Sequence, residues 1–275
     1  MLNEQQLKDI EGLQEICENQ EGYKLKLNGD MLLSRNHRQD DYFHYENGKL
    51  IGFLGLYGFG SSYELCGMVH PAHREKGIFR SLFQQSAASL KERRVKKLLI
   101  NAPGSSQSGK AFIETLPAKY SFSEYQMKWE PKQLKEENNE IQLIPVNQED
   151  IPFILDLDYL CFDVERDDSL QFMETVQKDE TSSSFMIEYK EEKVGKIHIQ
   201  REENRSYIYG FAVHPSHQGK GIGRSVLAKT VLTENKAGRD IFLEVAAKNA
   251  HALKLYEGTG FVSYQVQDYY AYEDL

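Results

Sequence analysis

The chain is poor in cysteine. Cys17, Cys66 and Cys161 are odd in number and widely spaced, which suggests neither a disulfide framework nor a zinc site. No apolar run approaches the ~20 residues of a membrane span. The opening M-L-N-E-Q-Q-L-K-D-I lacks the basic-then-apolar pattern of a secretory leader. A soluble, cytoplasmic protein with no membrane partner is expected. Positive charge is also short: 33 Lys and Arg stand against 42 Asp and Glu. The deficit is uneven, with 19 basic against 18 acidic residues over 1–137 and 14 against 24 over 138–275, or +1 and −10. An acidic second half argues against a nucleic-acid partner and mildly favours a cationic one. It equally suits ordinary solubilising surface charge.

What the sequence does carry is one piece of text written twice. Residues 213–225 read V-H-P-S-H-Q-G-K-G-I-G-R-S, and residues 69–81 read V-H-P-A-H-R-E-K-G-I-F-R-S. A length of 275 residues already suggests about two domains, and one copy per half sharpens that to 1–137 and 138–275. The boundary is expected in the polar stretch 131–140, which has no apolar periodicity.

Apolar spacing predicts an amphipathic helix over 4–19 and a hairpin around Asn47-Gly48. A strand over 63–69, a helix over 79–94, a strand over 98–101, a helix over 109–116 and a closing strand over 121–129 follow. The second half opens with an extra strand over 141–146 and helices over 148–160 and 168–177. Strands over 183–190, 194–201 and 207–213, a helix over 222–235, a strand over 240–245, a helix over 250–258 and a strand over 261–272 complete it. Mixed strands and helices give an α/β layer fold in each half. The glycines in G-L-Y-G-F-G (55–60) lead into another strand and read as a hairpin bend.

In each repeat a strand breaks at a proline, meets a glycine-containing loop and enters a helix, which places backbone N–H groups at an anion-binding helix N-terminus. In the second copy Gly219, Gly221 and Gly223 allow close approach of a bulky anion. Lys220 and Arg224 add charge, and Gln218 can close the loop. A pyrophosphate is the natural guest. The loop has neither the G-x-G-x-x-G of dinucleotide sites nor the G-K-[ST] of NTPases. The pairs His70/His73 and His214/His217 lack a third ligand at suitable spacing, so no metal is expected.

Q-G-K-G-I-G (218–223) resembles the [QR]-x-x-G-x-[GA] pyrophosphate loop of the GNAT-type N-acetyltransferases. N-A-H-A-L-K-L-Y-E-G-T-G-F (249–261) resembles that family's N-x-x-A-x-x-L-Y-x-x-x-G-F. The resemblance covers 140–275, and by analogy the first half is a degenerate second copy, in a tandem arrangement similar to that of mycothiol synthases. It implies two tandem GNAT-like domains, each a twisted, splayed mixed β-sheet flanked by helices. It also implies acetyl-CoA as co-substrate, held by Phe211, Ala212, Val213, Gln218, Gly219, Lys220, Gly221, Ile222, Gly223, Arg224 and Asn249. Gly210 is the candidate bulge that opens the sheet, and a freed N–H nearby could stabilise a developing oxyanion. Asn249 would bond the pantetheine amides or cap a helix. Tyr256 is the expected acid toward the departing thiolate, with core packing as its other role. Glu244 is the nearest candidate for the general base. Tyr207, Tyr209 and His198 either line an acceptor pocket or belong to the core.

The first copy departs from the pattern. Glu75 stands for Gly219, Phe79 for Gly223, Ser108 for Asn249 and Thr115 for Tyr256. A carboxylate in the loop repels an anion, so a scaffold role is expected there. The basic cluster Arg93, Arg94, Lys96, Lys97 reads as a helix C-terminus complementing its dipole. The expected activity is direct acetyl transfer from acetyl-CoA to a primary amine of a small molecule or peptide, catalysed in the second half. Polyamines, aminoglycosides and lysine side chains all suit the charge. No cysteine nucleophile is expected, since Cys161 reads as buried in Y-L-C-F. The alternatives are a non-catalytic acyl-CoA-binding or interaction module, or transfer of another acyl group. A monomer and a homodimer are both compatible.

Overall fold

The computed structural model describes residues 1–33, 39–93, 95–134 and 140–275. Helix α1 (Glu4–Glu21) begins at a capping box in which the Asn3 side chain accepts from the Gln6 amide while the Gln6 side chain accepts from that of Asn3. It ends at Gly22, which is left-handed (φ 72°) as C-terminal caps prefer. A short helix α2 (Gly29–Leu33), with no apolar period to announce it, follows. Strands β1 (Asp41–Glu46) and β2 (Lys49–Phe59) turn at Asn47-Gly48, both at positive φ as the two-residue hairpin requires. Then come β3 (Ser62–Val69), α3 (Ile78–Lys91), β4 (Lys97–Pro103), α4 (Gln107–Ile113) and β5 (Ala118–Trp129).

The second half runs β6 (Ile141–Pro145), α5 (Ile151–Phe162), α6 (Arg166–Lys178), β7 (Ser182–Tyr189), β8 (Glu192–Arg201) and β9 (Arg205–Val213). It continues with α7 (Ile222–Lys236), β10 (Asp240–Ala246), α8 (Ala250–Thr259) and β11 (Phe261–Tyr272). The glycine-rich 55–60 segment is not a bend throughout. Gly55 and Gly58 lie inside β2, where a Cβ would sit 2.8 Å from the Tyr57 hydroxyl and 3.2 Å from the Tyr63 ring. Only Gly60 (φ 63°) turns the chain. Helix α3 ends at Lys91, so Arg93, Lys96 and Lys97 lie beyond it, and Arg94 lies outside the described residues. Arg93 instead pairs with Asp40 and donates to the Gln39 carbonyl at 2.8 Å.

The division at 137/138 falls in residues 135–139, outside the described residues, and the compact units divide the chain elsewhere. One comprises Met1–Ser123 with Gln265–Leu275, the other Glu124–Tyr264. The closing strands are exchanged. Residues 267–271 of β11 pair antiparallel with β4 (Gln267↔Pro103 to Ala271↔Leu99), completing the order β1-β2-β3-β4-β11. Residues 124–128 of β5 pair antiparallel with β10 (Glu124↔Ala246 to Lys128↔Phe242), giving β5-β10-β9-β8-β7-β6. Strand pairing uses backbone groups common to all residues, so either closing strand satisfies either edge.

The strands of each unit part at their central parallel pair. In the first unit the parallel pair β3–β4 ends at Leu65↔Ile100, although β3 continues to Val69 and β4 to Pro103. In the second, β9–β10 ends at Leu243↔Ile208 while the strands continue to Val213 and Ala246. The two units differ in what covers the sheet. The first packs α3 and α4 on one face (Leu82, Phe83, Ile113) and α1 with Leu27 and Leu32 on the other (Ile10, Leu13, Cys17). In the second, α7 and α8 cover a large core (Val226, Leu227, Val231, Tyr256), whereas α5 and α6 contribute Ile154 and Met173 to a small cluster around Met186.

Glu234 of α7 anchors the far end of that unit. Its buried carboxylate accepts from Arg201 at 2.6–3.1 Å, from Ser206 Oγ at 2.7 Å and from Arg239 at 3.4 Å. Burial opposes the charge, but these donors outweigh it and hold the carboxyl below its ordinary value of 4.5. A lowered folded pKa contributes stability that is present above the unfolded value and lost as pH falls through the folded one. Glu234→Gln is expected to cost about 2–3 kcal/mol at pH 7, less than a fully buried pair because both arginines keep some solvent. In paired melts from pH 7 to 3 the gap to the unsubstituted chain should close below about pH 4.5; a constant gap would mean the carboxylate is not the source.

Candidate active site at the opened strand β9

The loop that leaves β9 is built from local rules. His214 Nδ1 accepts from the Ser216 amide (3.3 Å) and caps a 3-10 turn, Pro215–His217. In the first unit His70 does the same for Pro71–His73 (Ala72 amide, 3.2 Å), so the first histidine of each H-P-x-H is a cap. Among the described residues no group of three His, Cys, Asp or Glu is placed to hold a metal. Gln218 Nε2 then donates to the Val213 carbonyl (3.0 Å) and closes the loop. Gly219 (φ 76°) and Gly221 (φ 81°) take left-handed conformations with nothing within 4 Å of a Cβ added to either. Gly221 is the N-cap of α7 and offers no side chain to its first amides. Lys220 and Arg224 are exposed and have no partner among the described residues. Free amides, the positive end of a helix dipole and two unpaired cations make a site for a polyanion.

Two loop residues have other duties. Ile222 is buried in the core, leaving only its backbone to face a ligand. Gly223 serves packing rather than anion approach, since a Cβ there would lie 3.2 Å from Leu255 and 3.6 Å from the Phe211 ring. The first unit inverts this contact. Phe79 takes the place of Gly223, and its ring reaches within 2.8 Å of where a Cβ on Gly67, the residue in place of Phe211, would stand. The exchange is a reciprocal swap of large and small, not simply a damaged loop.

The rest of the first loop is filled from within. Arg74 Nε closes on the Val69 carbonyl (3.2 Å) as Gln218 does on Val213, but its guanidinium also pairs with Glu21. Glu75 holds the left-handed conformation (φ 61°) that glycine holds in the second copy. Lys76 donates to the Ala72 carbonyl (3.4 Å), and Arg80 donates to Thr115 Oγ1 (3.0 Å) over the Phe112 ring. Every cation here has an internal partner. Introducing the carboxylate of the first copy into the second, as Gly219→Glu, should weaken CoA binding by about tenfold or more through repulsion and strain. Titration calorimetry with CoA checks this, and an unchanged Kd would place the anion elsewhere.

Strand β9 bulges where the sequence suggested. Lys196 faces Ala212 and His198 faces Tyr209, so Ile197 stands opposite both Gly210 (φ 53°) and Phe211. From there to Val213 the edge once shared with β10 is unpaired by it. Near its end Cys161 Sγ of α5 lies 4.0 Å from the Val213 carbonyl. That cysteine is half-buried rather than buried, and burial raises its thiol pKa, which suits no nucleophile.

Tyr256 of α8 is 8% exposed and packs edge-on against Phe261 (6.0 Å). Its hydroxyl has no hydrogen-bond partner among the described residues. Burial pushes its pKa up to about 12, so the phenol keeps its proton. Asn249 caps α8, accepting from the Ala252 amide at 3.0 Å. Glu244 lies one residue past the last β9–β10 pair, exposed, and accepts from Gln126 Nε2 at 3.0 Å. Around the bulge Tyr209 stacks on His198 (5.2 Å), while Tyr207 stacks on Phe242 (5.4 Å). No local pattern announces the buried Lys196–Asp158 pair beside them (2.5 Å), because its partners lie 38 residues apart on β8 and α5.

Two repeats of mixed strands opened at the centre, each with a glycine-containing loop that leads into a helix at the opening, define a tandem α/β protein. The chain belongs to the acetyltransferase (GNAT) family, whose description matches residues 6–111 and 151–261. A curated relative, L-methionine sulfoximine/L-methionine sulfone acetyltransferase of Salmonella typhimurium, is 34% identical over 50 residues, 18% of this chain and 29% of that protein. The fold is similar to a GCN5-related N-acetyltransferase of Sphaerobacter thermophilus (TM-score 0.78, 17% identity, 97% of this chain and 94% of that one). It is also similar to a tandem GNAT protein of the clavulanic acid biosynthesis pathway (TM-score 0.71, 14% identity, 98% and 95%). No helix among the described residues is long and apolar enough to cross a membrane.

Proposed function

We propose that the protein is an acetyl-CoA-dependent N-acetyltransferase, acting on a primary amine of a small molecule or peptide, and that its second unit does the chemistry. The observation that carries this reading is the inequality of the two loops. Lys220, Arg224 and the amides behind Gly219 and Gly221 are free in the second copy, while Arg74, Lys76 and Arg80 are occupied in the first. Acetyl-CoA would lay its pyrophosphate on residues 218–224 and its pantetheine along Phe211, Ala212 and Val213. An amide of that edge would meet the developing oxyanion. Asn249 Nδ2 remains available to the pantetheine, because its cap bond uses the oxygen. Tyr256 would donate to the sulfur. Glu244 is the base in this scheme, taking the amine proton before attack.

The test is thiol release from acetyl-CoA across a panel of amines, cationic ones first. Turnover that survives in Gly219→Glu but falls with loss of Arg74 would move the chemistry to the first unit. CoA binding with no turnover on any amine would make the chain a binding module.

A further inference from the structure

The imidazole of His198 is fully buried, and its Nε2 has no hydrogen-bond partner. Such an atom calls for a reason. Its surroundings supply one. Ser184 Oγ on β7 holds Nδ1 at 2.7 Å, Tyr209 stacks on one face at 5.2 Å and 23°, and Phe172 of α6 meets the ring edge-on at 6.1 Å. These contacts press the opposite edge against Gly210. A Cβ on residue 210 would lie 2.5 Å from His198 Cδ2 and 3.3 Å from Nε2, so the ring occupies the room the glycine leaves. Burial, aided by the Lys196 charge, lowers the ring pKa to about 3 and keeps it neutral.

The first unit provides an internal comparison. There β2 and β3 stay in register without interruption from Gly52↔Val69 to Phe59↔Ser62. No histidine stands among the facing residues Leu54, Gly55 and Leu56, and no bulge forms.

We propose that His198 is a positioning residue for acetyl-CoA: its ring, wedged against Gly210, holds the β9 bulge that aims the backbone of Phe211, Ala212 and Val213 into the opened sheet. The inference rests on acetyl-CoA binding by the second unit. It departs from a simple core histidine in predicting an effect on ligand rather than on folding alone.

The experiment uses the full chain, with CoA titrated by calorimetry and amide exchange followed over residues 209–213. His198→Ala is expected to raise the CoA Kd about tenfold and speed exchange of those amides, with kcat at saturating acetyl-CoA within about twofold. His198→Phe keeps a flat ring against Gly210 and should hold Kd within about threefold. Equal Kd and exchange in His198→Ala, or a tenfold loss in a folded His198→Phe, would overturn the wedge while leaving the acetyl-CoA site standing. No CoA binding by the unsubstituted chain would overturn that site and the positioning role with it.

Discussion

Tyr256→Phe is expected to lower kcat about 100-fold, the low end of general-acid effects, with little change in KM for acetyl-CoA. The low end follows from the site. Burial lifts the phenol to about 12, while a thiol leaves with a conjugate pKa of ~8.5. Full proton transfer from Tyr256 to the thiolate would therefore run uphill by roughly 5 kcal/mol at ~1.4 kcal/mol per unit. The hydroxyl thus acts as a hydrogen-bond donor to the growing charge, strongest where water is excluded. The phenylalanine keeps the edge-on contact with Phe261, so a fall in melting temperature beyond a degree or two is not expected. Because the phenol stays protonated to about pH 12, no descending limb from Tyr256 should appear in a kcat profile taken up to pH 10. A kcat within twofold of the unsubstituted chain would remove Tyr256 from the mechanism.

Asp158→Ala carries the largest effect expected on stability. Lys196 Nζ lies 2.5 Å from Asp158 Oδ1, and the two side chains keep only 2% and 7% of their surface. Ser169 Oγ donates to the other carboxylate oxygen at 2.6 Å, tying α6 into the same pair. Burial depresses the lysine pKa, and Asp158 opposes that depression. Removing the aspartate strands an ammonium in the interior, at about 3–5 kcal/mol. For a unit of this size that is a fall in melting temperature of roughly 10 °C or more. The sign with pH is fixed by linkage. A lysine with a lowered folded pKa binds fewer protons folded than unfolded, so stability rises with pH. The variant's deficit should therefore shrink as pH climbs from 7 toward the ordinary lysine value of 10.5. Pairing Asp158→Leu with Lys196→Met should recover most of the loss, since apolar replacement of a buried pair is often neutral. A deficit that stays constant with pH would mean the lysine is already neutral in both folded chains at pH 7.

The two large predictions differ in how visible they were. Tyr256 sits in a run of spaced residues that carries its own signal. Lys196 and Asp158 sit in ordinary strand and helix patterns, where an apolar residue would have looked more natural. Nothing local marks a buried ion pair whose members meet only after β8 and α5 pack.

The same contrast runs through the site. Proline, glycine and helix-cap chemistry act over a few residues, so the loops at 69–81 and 213–225 could be placed from spacing alone, and Gly210 could be singled out within its strand. The duty of Gly223 could not, because its neighbour Leu255 is 32 residues away on α8. Nor could the wedge of His198, whose contacts come from β7, β9 and α6. Short α2 and the exposure of Glu244 were equally hidden.

Short-range rules, a repeated loop and an apolar period therefore determined the elements, their order and the twofold design. Tertiary structure alone decided which strand closes which sheet, because β5 and β11 have the same backbone to offer and only packing selects the edge. It also decided that the two loops are unequal in more than sequence. Arg74 and Arg80 resemble the open site's cations in type, but the folded chain brings Glu21 and Thr115 to meet them. Charge in a sequence says what a residue can bind; only folding says whether the protein has already bound it.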